Sequence, residues 1–120
     1  MPIIDTWDCE HQRVIRLVWG RLPPHVQRHL NHVRFTEGQH ARKAYASAGV
    51  SDVDIRRLPP TTDGSIGILA HELGHIAGDH IRRVNAGEIS EQEAEREADA
   101  YARHWGFGRE LDARRDWIGR

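Results

Sequence analysis

Apolar positions recur at helical spacing over most of this chain and alternate with polar ones only in its middle. Residues 6–19 bring Val14, Ile15, Leu17 and Val18 together after an acidic first turn, the pattern of a helix that stops at Gly20. Pro23-Pro24 opens a second, short helix in which Leu22, Val26 and Leu30 stand four apart. From His32 to Asp54 the period drops to two. Val33 and Phe35 alternate with polar residues, as do Val53 and Ile55, and Tyr45 lies between the pairs. Two or three short strands are expected there, closed by Pro59-Pro60.

Asp63-Gly64-Ser65 then offers a cap to a long helix running to about Asn85, with Ile66, Leu69, Ala70, Leu73, Ile76, Ala77, Ile81 and Val84 as one continuous stripe. Ser90 and Glu93 have capping-box spacing, with Ile89 before the cap. Ala94, Ala98, Tyr101 and Trp105 follow at helical spacing until Gly106 and Gly108 stop the run. Residues 109–120 form a short tail whose apolar content is Leu111, Trp117 and Ile118. The pattern predicts one α+β domain over residues 1–120, a small two- or three-stranded sheet packed on the last two long helices.

Composition narrows what such a domain does. Seventeen basic and 18 acidic residues leave a net charge of -1, which removes the sequence-independent attraction for nucleic acid or an anionic membrane. A single cysteine, Cys9, excludes an internal disulfide framework, and is expected as an inert packing residue. The N-terminal segment has no apolar stretch of a signal peptide, and no run approaches the ~18 apolar residues of a membrane span. The expectation is a soluble, cytoplasmic domain whose oligomeric state is open. One excess stands out: nine histidines in 120 residues.

Two of them, His71 and His75, belong to His71-Glu72-Leu73-Gly74-His75, an HExxH motif inside the long helix. Four residues apart, both imidazoles project from one helix face and can hold one ion, while Glu72 beside them can reach a water. The motif alone is weak. With nine His and nine Glu in this length, chance supplies it about once in twenty such sequences. A catalytic zinc site needs a third protein ligand and an open position.

Three templates locate that ligand differently. A metzincin places a His six residues after the second, but position 81 is Ile81, and His80 is one early. On a continuing helix His80 points about 140° from His75, which makes it a poor ligand. The glutamate-ligand arrangement asks for a Glu on the next helix with an acid four residues later. Glu95 and Asp99 in Glu95-Arg96-Glu97-Ala98-Asp99 meet it. Nineteen residues separate His75 from Glu95, enough to end one helix and return antiparallel, and Ala98 and Ala102 permit close approach. The third template, the ImmA/IrrE-like repressor-cleaving peptidases, places a His and an Asn where this chain has Asp79 and Asp99.

HELGHIAGDH followed by EREADAYARHWGF resembles the HELGHxxxxH … ExxAD signature of gluzincin zinc metallopeptidases, over residues 66–108. It is most similar to the CaaX prenyl protease type and its reduced relatives, the minigluzincins. The resemblance implies a zincin-like fold and a zinc ion on His71, His75 and Glu95. It further implies Glu72 as general base in peptide hydrolysis and Asp99 as a buttress for a ligand histidine. An extended peptide or protein substrate would add to an edge strand near Tyr45 or Val53. Tyr101, Arg109, Arg114 and Arg115 follow the site as possible stabilisers of the transition state, whereas His104 points elsewhere on a straight helix. The minigluzincin likeness also raises a latent form, with Trp117 and Ile118 folded over the cleft; a helix capping the core is the simpler expectation for the tail.

The competing classes are a non-catalytic or latent zinc-binding regulatory protein and an interaction domain with no metal. His11, His25, His29, His32 and His40 share no ligand spacing and are expected as surface or packing residues, and Tyr101 and Trp105 as core.

Overall fold

A computed structural model describes residues 2–40 and 43–117. Its element order is β1 (Ile3–Ile4), α1 (Cys9–Arg21), α2 (Pro24–His29), β2 (Arg34–Glu37), β3 (Ala46–Ala48), β4 (Asp52–Ile55), α3 (Thr62–Ala77), α4 (His80–Asn85), α5 (Glu91–His104) and α6 (Gly108–Arg114). This is an α+β fold with four strands, not two or three. The additional strand is the two-residue β1, too short to show any alternation.

The strands lie in the order β1-β2-β4-β3. β1 pairs with β2 and β2 with β4 in parallel, Phe35 opposite Val53; β3 runs antiparallel to β4, Ala46 opposite Ile55. Val53 is therefore interior to the sheet and cannot accept an added strand, whereas the Tyr45 neighbourhood leads into an edge, β3. Alternation fixes which face a strand buries but not whether it is flanked on both sides, so the sequence left this open.

Helix starts follow their caps. The Asp8 side chain accepts from the backbone N–H groups of Glu10 and His11, so α1 begins at Cys9, directly after this cap, and runs through Gly20 to Arg21. Cys9, in that first turn, is exposed rather than packed. α3 is capped by Thr61, not by the Asp63–Ser65 segment, and α5 has the complete Ser90/Glu93 capping box. α3 is the central shaft: twelve of its sixteen residues are buried, and Leu69, Ala70 and Leu73 are wholly inaccessible.

The long C-terminal helix of the sequence pattern is two helices. Gly78 caps α3, and Asp79 takes the left-handed conformation with φ of 53°, rare for a residue with a side chain. α4 therefore leaves in a new direction, which the unbroken apolar stripe conceals. α5 returns against α3 at small residues: a methyl group on Gly74 would lie 2.5 Å from the Ala98 carbonyl oxygen. Residues 109–114 continue the fold as α6, burying Glu110, Leu111 and Arg114. The tail is thus part of the core as far as Arg114. Ile118 lies outside the described residues. No helix among them is long and apolar enough to cross a membrane.

Candidate metal centre

The helical rise brings His71 and His75 onto one face of α3, their Nε2 atoms 3.1 Å apart. The close α3–α5 crossing then delivers Glu95. Its Oε2 lies 2.8 Å from His71 Nε2 and its Oε1 3.2 Å from His75 Nε2. Three sequence-predicted ligands thus form a triangle with edges close to the ~3.3 Å expected between ligands of a tetrahedral zinc with bonds of about 2.0–2.1 Å.

The remaining ring nitrogens set the tautomers. His71 Nδ1 lies 2.6 Å from Asp99 Oδ1, so that nitrogen carries the proton and donates it. Nε2 is left to face Glu95 Oε2. Asp99, placed by sequence as the buttress, is itself gripped by Arg114, whose Nη2 donates to Oδ1 at 2.7 Å and Oδ2 at 2.9 Å. Burial would raise the Asp99 pKa, but the His71 hydrogen bond and the Arg114 charge outweigh it and hold the carboxyl below its usual range. Hydrogen bonds from the two histidines hold Glu95 far below the carboxylate range.

His75 has a buttress in His80, a residue that the sequence reading rejected as a ligand. Because the helix breaks at Gly78-Asp79, His80 does not point away; it folds back, with Nδ1 2.8 Å from Nδ1 of His75. A methyl on Gly78 would lie 2.2 Å from His80 Nε2, so this return requires a glycine there. His80 is a partner of His75, not a fourth ligand, since it meets the nitrogen turned away from Glu95. His75 Nδ1–H donating to His80 leaves His80 Nε2–H to donate to Glu97 Oε1 at 3.1 Å, and Arg83 donates to the same oxygen at 2.7 Å. Burial pushes the His80 pKa down, consistent with a neutral ring accepting at Nδ1. The signal for this chain of contacts is the Gly78-Asp79 pair, a turn-forming dipeptide inside an apolar stripe.

Glu72 is almost wholly buried, and its Oε2 has no hydrogen-bond partner among the described residues. A buried carboxylate left so under-satisfied is costly and is commonly retained for chemistry. It borders two cavities of about 470 and 340 Å³. The larger is lined by Tyr45, Ala46, Ile68, Arg114 and Trp117, the smaller by Ala48, Ile81, Val84 and Ala94. Lys43, which the sequence did not single out, lines both. Of the other stabiliser candidates, Arg109 and Arg115 are exposed and paired with Asp63 and Asp112, and Tyr101 tilts against Trp105. His104 is exposed, as expected.

Ligand atoms of His71, Glu72 and His75 lie within 4.8 Å of one another, and those of a second group, Asp8, His11 and Glu37, do the same. His11 is buried there, its Nδ1 3.0 Å from Glu37 Oε1 and its Nε2 4.0 Å from Asp8 Oδ2. The two carboxylates face opposite ring nitrogens, an arrangement suited to an ion pair joining α1 to β2. Searches against family models, curated proteins and solved structures return no match, so the site rests on its own geometry.

Proposed function

We propose that this protein is a zinc-dependent metallopeptidase with a zincin-like core, hydrolysing peptide bonds of an extended peptide or protein. One observation carries the reading. His71 Nε2, His75 Nε2 and the Glu95 carboxylate converge within 3.2 Å, while the other nitrogen of each imidazole is engaged by Asp99 or His80. Two imidazoles and a carboxylate with an open side make the N₂O donor set that suits catalytic zinc.

Zinc held by His71, His75 and Glu95 would supply Lewis acidity, lowering the pKa of water and polarising a carbonyl. The chain supplies the rest. Glu72, beside the ligand face and open to both cavities, takes the proton of the attacking water and returns it to the leaving amine. Asp99 and His80 fix the orientation of the two ligand rings. β3, at an edge of the described sheet and next to the cavities, would receive backbone groups of an extended chain.

A purely structural zinc would normally be enclosed by four protein ligands. Here Glu95 is half exposed and Glu72 lies beside the two histidines with Oε1 turned to Lys43, which favours an enzyme over a non-catalytic zinc protein. Metal analysis of untagged protein tests the reading. About one zinc per chain is expected; a content far below that, with no uptake on adding zinc, would end it.

The His80 contact makes a second prediction. Replacing His80 with Ala leaves the ligand triangle intact but frees His75 Nδ1, and zinc affinity should fall about 10–100-fold in chelator competition. Unchanged affinity, with the fold retained, would show that His75 needs no such partner.

A further inference from the structure

Hydrolysis of an amide places negative charge on the former carbonyl oxygen, and a site that performs it gains from a positioned cation or donor there. The arginines near the cleft are committed elsewhere. Arg114 grips Asp99 through Nη2, and Arg109 and Arg115 are paired outside the cavities. Lys43 differs. Its Nζ stands 3.4 Å from Glu72 Oε1 and 3.5 Å from Glu95 Oε1, in the space between the proposed base and a proposed ligand. The side chain is half exposed, so it can swing without disturbing the core.

The backbone that carries it is anchored on both sides. Asp54, fully buried in β4, accepts from the backbone N–H groups of Gln39 and His40 at 2.9 and 2.7 Å. The Lys43 N–H itself donates to Ser47 Oγ of edge strand β3 at 3.1 Å. An ammonium is thus held at the head of the strand along which a substrate would lie, at the boundary of both cavities.

Resting on the peptidase reading, we propose that Lys43 is a catalytic residue that binds the anionic oxygen formed from the substrate carbonyl. Zinc on the three ligands would repel the ammonium from Glu95 and leave it free to meet that oxygen. The water oxygen bonds to the carbonyl carbon, the π pair moves onto the carbonyl oxygen beside Lys43, and Glu72 takes the water's proton. When C=O re-forms, the C–N bond breaks and the amine nitrogen receives the proton from Glu72.

The test uses the cobalt-loaded full chain and inorganic phosphate as an anionic probe, followed through the visible cobalt spectrum. Lys43→Met should bind phosphate about five- to tenfold more weakly than wild type, and Lys43→Arg should restore binding to within about twofold. Thermal melts establish that the variants fold; should Lys43→Met not fold, Lys43→Gln takes its place under the same criterion. Equal phosphate affinity in wild type and Lys43→Met at equal cobalt content overturns the role of Lys43 alone. So does a wild-type spectrum that phosphate does not alter. Failure of wild-type protein to take up cobalt or zinc overturns the peptidase reading itself.

Discussion

Glu72→Gln should lower peptide hydrolysis by about a hundredfold to ten-thousandfold while the protein still holds one zinc per chain. The two readouts separate because Glu72 lies beside the triangle without making one of its shortest contacts. His71, His75 and Glu95 close on one another within 3.2 Å, and the Glu72 carboxylate lies outside that set, with Oε1 turned to Lys43. Gln keeps the shape and loses the ability to take a proton. It also removes a buried charge whose Oε2 has no partner among the described residues, so the variant should melt no lower than wild type. Zinc content and cleavage of a mixed library of quenched fluorescent peptides check both halves. Loss of zinc together with activity would make Glu72 a ligand, and full activity would remove it from the chemistry.

The other large effect lies in packing. Gly74→Ala would ordinarily strengthen a helix by about 1 kcal/mol. At this position the new methyl meets the Ala98 carbonyl oxygen at 2.5 Å and the Ala98 Cα at 3.0 Å. The obstacle is backbone of a second helix and cannot rotate aside, so α5 must move away. Overpacking of this kind costs about 3 kcal/mol, leaving a net loss of about 2 kcal/mol and a fall of several degrees in Tm. Zinc affinity should fall with it, since α5 carries Glu95. A rise in Tm would mean that the helices do not cross this closely.

The parts of the site legible in the sequence are those set by local periodicity. His71, Glu72 and His75 share a helix, and the four-residue step from Glu95 to Asp99 shares another, so spacing alone placed each set on a face. Their meeting was expected from the nineteen-residue interval and the small side chains of Ala98 and Ala102. What stayed hidden depends on single backbone conformations or distant contacts. One left-handed residue, Asp79, redirects the chain and turns His80 from a rejected ligand into the partner of His75. Lys43 arrives from a loop about thirty residues upstream, where no local pattern links it to the motif. The strand order follows from a two-residue strand at the N-terminus and a parallel pairing across the domain, neither of which alternation can reveal.

Along the turns that carry Glu95, Glu97 and Asp99, α5 buries only Ala94 and Ala98, side chains with almost no apolar surface to offer. The helix is tied there through the histidines and arginines of its neighbours: His71, His75, His80, Arg83 and Arg114. Attachment and the proposed activity therefore share the same bonds. A lineage drifting away from catalysis could surrender Glu72 at no architectural cost, but could not shed its ligand acids without loosening the helix that bears them. Inactive descendants of such a protein would be expected to keep the metal cradle and lose the base.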